Sequence, residues 1–204
     1  MKNISLSNRQ IYHIYNRGVD KRNICLNTKD YQRFVDSLSV FNNTKNLNGR
    51  RFATLLREEG GDRLVNVIAY CLMPNHFHLL LEQLTDNGIT KFLQKMTTSY
   101  TMYFNKKYSR TGALIQGVFK RSHIKRNGRL LEMSRYIHCN PIKILKSENS
   151  ASPSLREKLL TYQWSSFPDY AGMSIEPKII SNKEIIIDQF KSPGSYVAYV
   201  LGET

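Results

Sequence analysis

Cysteine is scarce in this chain. Cys25, Cys71 and Cys139 are too few and too scattered for a disulfide framework or a cysteine-based zinc site, and their expected state is reduced. Long apolar runs are missing as well. No stretch approaches the ~20 apolar residues of a membrane span, and the N-terminus Met1-Lys2-Asn3-Ile4-Ser5 lacks the apolar core of a secretory signal. These absences predict a soluble, cytoplasmic protein without a membrane partner. Acidic residues are the third shortage: 16 Asp and Glu stand against 30 Lys and Arg, a formal charge of +14. Such an excess is larger than solubility needs and points to a polyanion as partner. No internal repeat or low-complexity tract is present, so solenoids and disordered arrays are excluded. What remains is a chain of 204 residues with an apolar share of 41%, enough for one cored domain or one domain with an appendage.

Ile11 to Asn16, β-branched and aromatic, reads as a strand ending at Arg17-Gly18. Asn27 or Thr28 caps a helix in which Tyr31, Phe34, Val35 and Leu38 recur at helical steps. Thr44 to Leu64 is polar and glycine-containing and reads as an irregular insertion. Val65–Leu72 and His76–Glu82 form an antiparallel hairpin across Met73-Pro74-Asn75. A longer helix opens at Asp86 or Asn87 and carries the stripe Ile89, Phe92, Leu93, Met96, Tyr100, Tyr103 and Phe104, read as core. Ala113 to Phe119 reads as a fourth strand continued by a basic run, Lys120 to Arg126. A short helix spans about Arg129 to Cys139 and stops at Asn140-Pro141. Beyond it come a polar linker from Ser147 to Ser154, an aromatic turn around Trp164 and an apolar segment from Ile179 to Phe190. This order predicts an α+β fold with helices on one face of an antiparallel sheet, in a ferredoxin-like arrangement that leaves the other face free.

Strand periodicity sends His76 and His78 to one face and Phe77 to the other. Two alternating imidazoles are half a metal site, and they are equally an ordinary polar pattern on a half-exposed strand. The short helix offers the rest. Tyr136 and Asn140, four residues apart, share one edge beside the packed stripe Leu130, Met133, Ser134 and Ile137. If that edge meets the histidine face, the Asn140 oxygen completes a two-nitrogen, one-oxygen set that suits Mg²⁺ or Mn²⁺, with Tyr136 within reach of whatever the metal holds.

These residues carry a resemblance. His76-Phe77-His78 has the form of the HUH single-strand nucleases, and Tyr136-Ile137 followed by Asn140-Pro141 resembles the single-tyrosine IS200-like transposases. Tyr12 to Gly18, Cys71 to His76, Gln116 to Lys120 and Tyr136 to Pro141 look most like the REP-associated tyrosine transposases, with Trp164-Ser165-Ser166-Phe167 as a weaker echo. The resemblance implies a ferredoxin-like catalytic domain over residues 1–146 and a C-terminal extension, 147–204, packed on or near it. It also implies one divalent metal on His76, His78 and Asn140, although relatives often carry glutamine at the third position. Tyr136 then attacks the scissile phosphate, giving a 5′-phosphotyrosine and a free 3′-OH. The implied partner is single-stranded DNA with a hairpin, met by a nucleoid-associated protein that is a monomer or a homodimer.

Arg17, Lys21 and Arg22 after the first strand, and Lys120, Arg121, Lys125 and Arg126 after the fourth, are candidates to hold phosphates. His13 either supports the metal or hydrogen-bonds within the sheet, the structural role being favoured; His123 and His138 are read as surface or packing residues, and Tyr100 and Tyr103 as core. A DNA- or RNA-binding protein that keeps the fold without using the catalytic centre is the alternative reading.

Overall fold

The computed structural model describes residues 6–45, 52–55, 62–125, 127–145, 154–173 and 179–203. In chain order the elements are β1 (Ile11–Arg17), α1 (Thr28–Val40), α2 (Phe52–Leu55), β2 (Val65–Leu72), β3 (His76–Gln83), α3 (Gly88–Lys107), β4 (Lys120–Ile124), α4 (Asn127–Cys139), α5 (Ile142–Leu145), α6 (Leu155–Leu160), α7 (Phe167–Tyr170), α8 (Glu184–Ile187) and α9 (Pro193–Leu201). Arg126, most of the Ser147–Ser154 linker, and the Arg50-Arg51 and Gly60-Gly61 pairs lie outside the described residues.

The four strands form one antiparallel sheet in the order β2-β3-β1-β4. This is the α+β, ferredoxin-like arrangement expected from the sequence. The β2–β3 hairpin closes where the Met73 amide donates to the His76 carbonyl at 2.8 Å. Register sets which residues share a face: Tyr15 lies opposite His78, Arg17 opposite His76 and Tyr15 opposite Lys120. Directly opposed residues project to the same side, so β1, β3 and β4 jointly present His13, Tyr15, Arg17, His76, His78 and Lys120 on one face.

The other face receives α1 and α3. Asn27 caps α1 by accepting from the Asp30 amide at 3.3 Å, and the buried Phe34, Val35 and Leu38 line its inner side. Phe34 meets Phe77 and Tyr100 at ring separations of 5.2 and 5.0 Å. The α3 stripe is core as expected, with Ile89, Phe92, Leu93, Met96, Tyr100 and Phe104 all buried. Each such large apolar side chain contributes about 1.5–3 kcal/mol by leaving water.

Two features differ from the sequence reading. Residues 113–119 do not form the fourth strand; the basic run Lys120–Ile124 does. The apolar stretch is spent instead on loop contacts at the end of β1, where Val19 donates to the Leu114 carbonyl at 3.0 Å and Gln116 to the Arg17 carbonyl at 2.8 Å. Gly117 at φ 46° breaks any ladder there. Only Ile124 of β4 is buried, as suits an edge strand protected by charge.

The second difference is that the histidine face is partly covered. Helix α4 crosses it with Leu130, Ser134, Ile137 and His138 buried, and the C-terminal segments back that helix. They also pair with the open edge of β2. Leu72 donates to the Trp164 carbonyl at 2.8 Å, Ser166 to the Tyr70 carbonyl at 3.0 Å and Ser181 to the Val67 carbonyl at 3.0 Å. His138 bridges the Tyr196 hydroxyl at 2.7 Å and Ser166 Oγ at 2.8 Å, which accounts for its burial as packing.

Candidate active site

The site forms where α4 passes over the exposed end of the shared face. His78, reached from β3, is 5% exposed, and the Tyr136 ring from α4 stands edge-on to it with centroids 5.3 Å apart at 89°. Tyr136 is itself 51% exposed, so its hydroxyl-bearing side is open to a ligand. His76 sits 5.1 Å from His78, ring to ring, at 87°. That spacing lets one nitrogen of each reach a common ion.

The other ring nitrogens are already engaged. His76 Nδ1 meets Asn75 Oδ1 at 2.7 Å, and His78 Nδ1 meets His13 Nε2 at 2.9 Å. Where Nδ1 of each ring carries the proton, Nε2 holds the lone pair for a ligand, the arrangement in which a second partner orients a ligating imidazole. Asn140, at the end of α4, donates from Nδ2 to the Tyr136 carbonyl at 2.8 Å, and its side chain also hydrogen-bonds His76. Helical spacing therefore places Tyr136 and Asn140 on the edge expected, and that edge lies against the histidines.

Burial keeps the imidazoles neutral. It lowers His13 to about 4; His78 falls to about 3 through burial first and then the neighbouring His13 and His76. Burial also lowers His76, against the hydrogen bond to Asn140 that raises it, with the Lys143 charge pushing down as well. A neutral imidazole retains the lone pair that a Lewis acid needs. Among the described residues no group of three or more His, Cys, Asp or Glu is gathered to hold a metal. The His76 and His78 imidazoles and the Asn140 amide, donor types that suit one divalent ion with open positions for water and phosphate oxygens, are gathered here instead.

A cleft of 530 Å³ opens beside this cluster, lined in part by Arg17, Lys21, His76, His78, Lys120 and Tyr136. Three of the basic residues expected to hold phosphates thus share the cleft with the tyrosine. Arg17 is also fixed by a 2.8 Å bond from Nε to Gln116 Oε1. The other cations are elsewhere. Arg22 turns to Asp20 at 3.7 Å and the Val19 carbonyl at 3.1 Å. Arg121, opposite Ile14, projects to the α1 and α3 face, Lys125 is exposed beyond β4, and Arg126 lies outside the described residues.

The sequence favours a structural role for His13 over support of the metal and does not single out Tyr15 beside the histidines; the structure gathers both there. His13 stacks on Tyr15 and His78, at 5.0 and 5.1 Å, and meets the edge of Tyr136 at 5.9 Å. A signal was present: alternation along β1 puts His13, Tyr15 and Arg17 on one face. What it lacked was the identity of the neighbouring strand.

Residues 11–140 match the family model described as transposase, IS200-like. Among solved structures, the chain is similar to a REP-associated tyrosine transposase bound to a REP hairpin, with a TM-score of 0.58 over 89% of this chain and 91% of that one. Identity there is 12%, so the likeness is one of fold. No curated protein matches the sequence. The family match spans the whole sheet, both histidines, Tyr136 and Asn140, and this chain belongs to the IS200-like transposase family.

Proposed function

We propose that this protein is a metal-dependent endonuclease and strand transferase for single-stranded DNA, cutting at a hairpin-associated site through a 5′-phosphotyrosine on Tyr136. The observation that carries this reading is the Tyr136 ring, half exposed and 5.3 Å from His78 of its own chain, on the wall of a basic cleft. His76 and His78 through Nε2, with the Asn140 side-chain oxygen, would hold one Mg²⁺ or Mn²⁺. When bound, that ion supplies Lewis acidity at the scissile phosphate.

The remaining steps belong to the chain's own residues. Arg17, Lys21 and Lys120 pair with backbone phosphates and set the strand in the cleft, while the overall charge of +14 raises encounter with DNA. Tyr136 Oη attacks phosphorus, the bond from phosphorus to the 3′ oxygen breaks, the phenolic proton is released and the 3′ oxygen takes one up. The phosphoester is conserved, so a second 3′-OH reverses the step and joins a new strand without ATP. The structural relative bound to a REP hairpin supports a hairpin as the recognised element. The tyrosine lies against histidines of its own chain, which supports cleavage in cis within one protomer.

The test is a labelled single-stranded hairpin oligonucleotide incubated with the protein and Mn²⁺, then resolved under denaturing conditions. A covalent adduct is expected with the natural chain and none with Tyr136→Phe. An adduct that survives in Tyr136→Phe removes this residue as nucleophile. Hairpin binding without any adduct assigns the chain to nucleic-acid binding instead.

A further inference from the structure

His13 is a buried imidazole outside the two-histidine motif, and the sequence alone favours a structural role for it. Its Nε2 lies 2.9 Å from His78 Nδ1, with the two rings inclined by only 12°. Tyr15 packs against both rings, at 5.0 and 5.7 Å, and holds them in this contact. The β1–β3 register produces it: Tyr15 is opposite His78 and His13 opposite Leu80, so His13 and His78 are diagonal neighbours on one face.

Between two neutral imidazoles at this separation a single proton occupies the bond. Either His78 Nδ1–H donates to His13 Nε2, or His13 Nε2–H donates to His78 Nδ1. In the first case the lone pair of His78 stands on Nε2, free for a metal. In the second, Nε2 carries the other proton and cannot ligate.

We infer that His13 is the positioning residue of this centre: it accepts the Nδ1 proton of His78 and so selects the tautomer in which His78 ligates. The inference rests on the metal-centre reading above and deepens it. His13 touches neither metal nor substrate in this role. The role asks only for a hydrogen-bond acceptor at one point, so a glutamine carbonyl meets it and an aliphatic side chain does not.

Two measurements on the full chain test this. In the metal-free protein, long-range ¹H–¹⁵N correlation of the histidine rings is expected to find the His78 proton on Nδ1. A proton on Nε2 overturns the inference and leaves the tyrosine chemistry to be judged by its own adduct assay. The second is Mn²⁺ affinity without DNA, read from free Mn²⁺ by electron paramagnetic resonance. His13→Leu is expected to weaken binding by about 10–100-fold, while His13→Gln stays within a few fold of the natural chain. A folded His13→Leu that binds Mn²⁺ like the natural chain overturns the role of His13. Failure of the natural chain itself to bind Mn²⁺ overturns the metal centre, and this inference with it, and differs visibly from a loss confined to His13→Leu.

Discussion

Three imidazoles in this protein are buried far enough to stay neutral well below the usual range: His13 at about 4, and His78 and His138 at about 3. In the unfolded chain each takes up a proton near its ordinary value of 6.5. Between that value and about pH 4 the unfolded state therefore binds more protons than the folded one, and stability falls as pH falls. His138, fully enclosed between Tyr196 and Ser166, contributes a slope of up to about 1.4 kcal/mol per pH unit in this window. Urea unfolding at pH 7, 6 and 5 is expected to give a falling midpoint, and a flat profile contradicts neutral burial. At this scale the sequence was most legible where chemistry is carried by spacing. Tyr136 and Asn140 needed only the helical period, and His76 and His78 only the strand period. His13 needed a partner from another strand, 65 residues away, which no local pattern supplies.

Among the elements, α1 and α3 are joined by a polar clasp. Asp30, wholly buried, receives the Leu26 amide at 2.9 Å, the Tyr103 hydroxyl at 3.0 Å, the Tyr108 hydroxyl at 2.6 Å and the Lys107 ammonium. Burial pushes its carboxyl up, but the hydrogen bonds from Lys107, Tyr108, Leu26 and Tyr103 outweigh it and hold it below the usual range. Asp30→Ala removes the buried carboxylate that accepts from Leu26, Tyr103, Tyr108 and Lys107, leaving Lys107 only Asn27 Oδ1 and the Tyr103 hydroxyl at 3.1 Å each. It is expected to cost about 3–5 kcal/mol, the scale of breaking a buried ion pair, read as a lower urea midpoint with an unchanged slope. A loss under 1 kcal/mol makes the clasp incidental. The places of β1, β2, β3, α1 and α3 followed from periodicity, although β1 extends to Arg17, β3 to Gln83 and α3 to Lys107, and Asn87 makes no side-chain cap. The fourth strand did not, because apolar content favoured 113–119 while the pairing went to the basic Lys120–Ile124. An edge strand needs little burial, and the apolar residues before it were taken by contacts at the end of β1.

For the whole molecule, the division at residue 146 is the point to test. The segments after it pair with the free edge of β2, close over His138, and give α4 its backing through the Arg135 bond to the Val200 carbonyl at 3.1 Å. Deleting residues 147–204 bares strand-edge backbone groups and leaves buried His138 without partners, at about 1–3 kcal/mol for each orphaned group. The shortened chain is expected to aggregate or lose its cooperative melt by circular dichroism, with Tyr136 no longer held against the histidines. A monomeric, cooperatively melting 1–146 instead makes the catalytic domain independent. None of this was legible from the polar, aromatic and apolar stretches beyond Leu145, because their role is set by an edge that exists only once the sheet has formed.

Legible in the chain alone were the order of the main strands and helices through α4, the face that each histidine takes on its own strand, the shared edge of Tyr136 and Asn140, and the charge that calls for a polyanion. These follow from side-chain periods of 2 and 3.6 and from composition, which act within a few residues. That β1 lies beside β3, that α4 crosses the histidine face rather than leaving it open, and that His13 meets His78 emerge with the assembled fold. Such pairings are chosen by which arrangement buries the most apolar surface and satisfies the most backbone groups, and that choice is made by the whole chain at once.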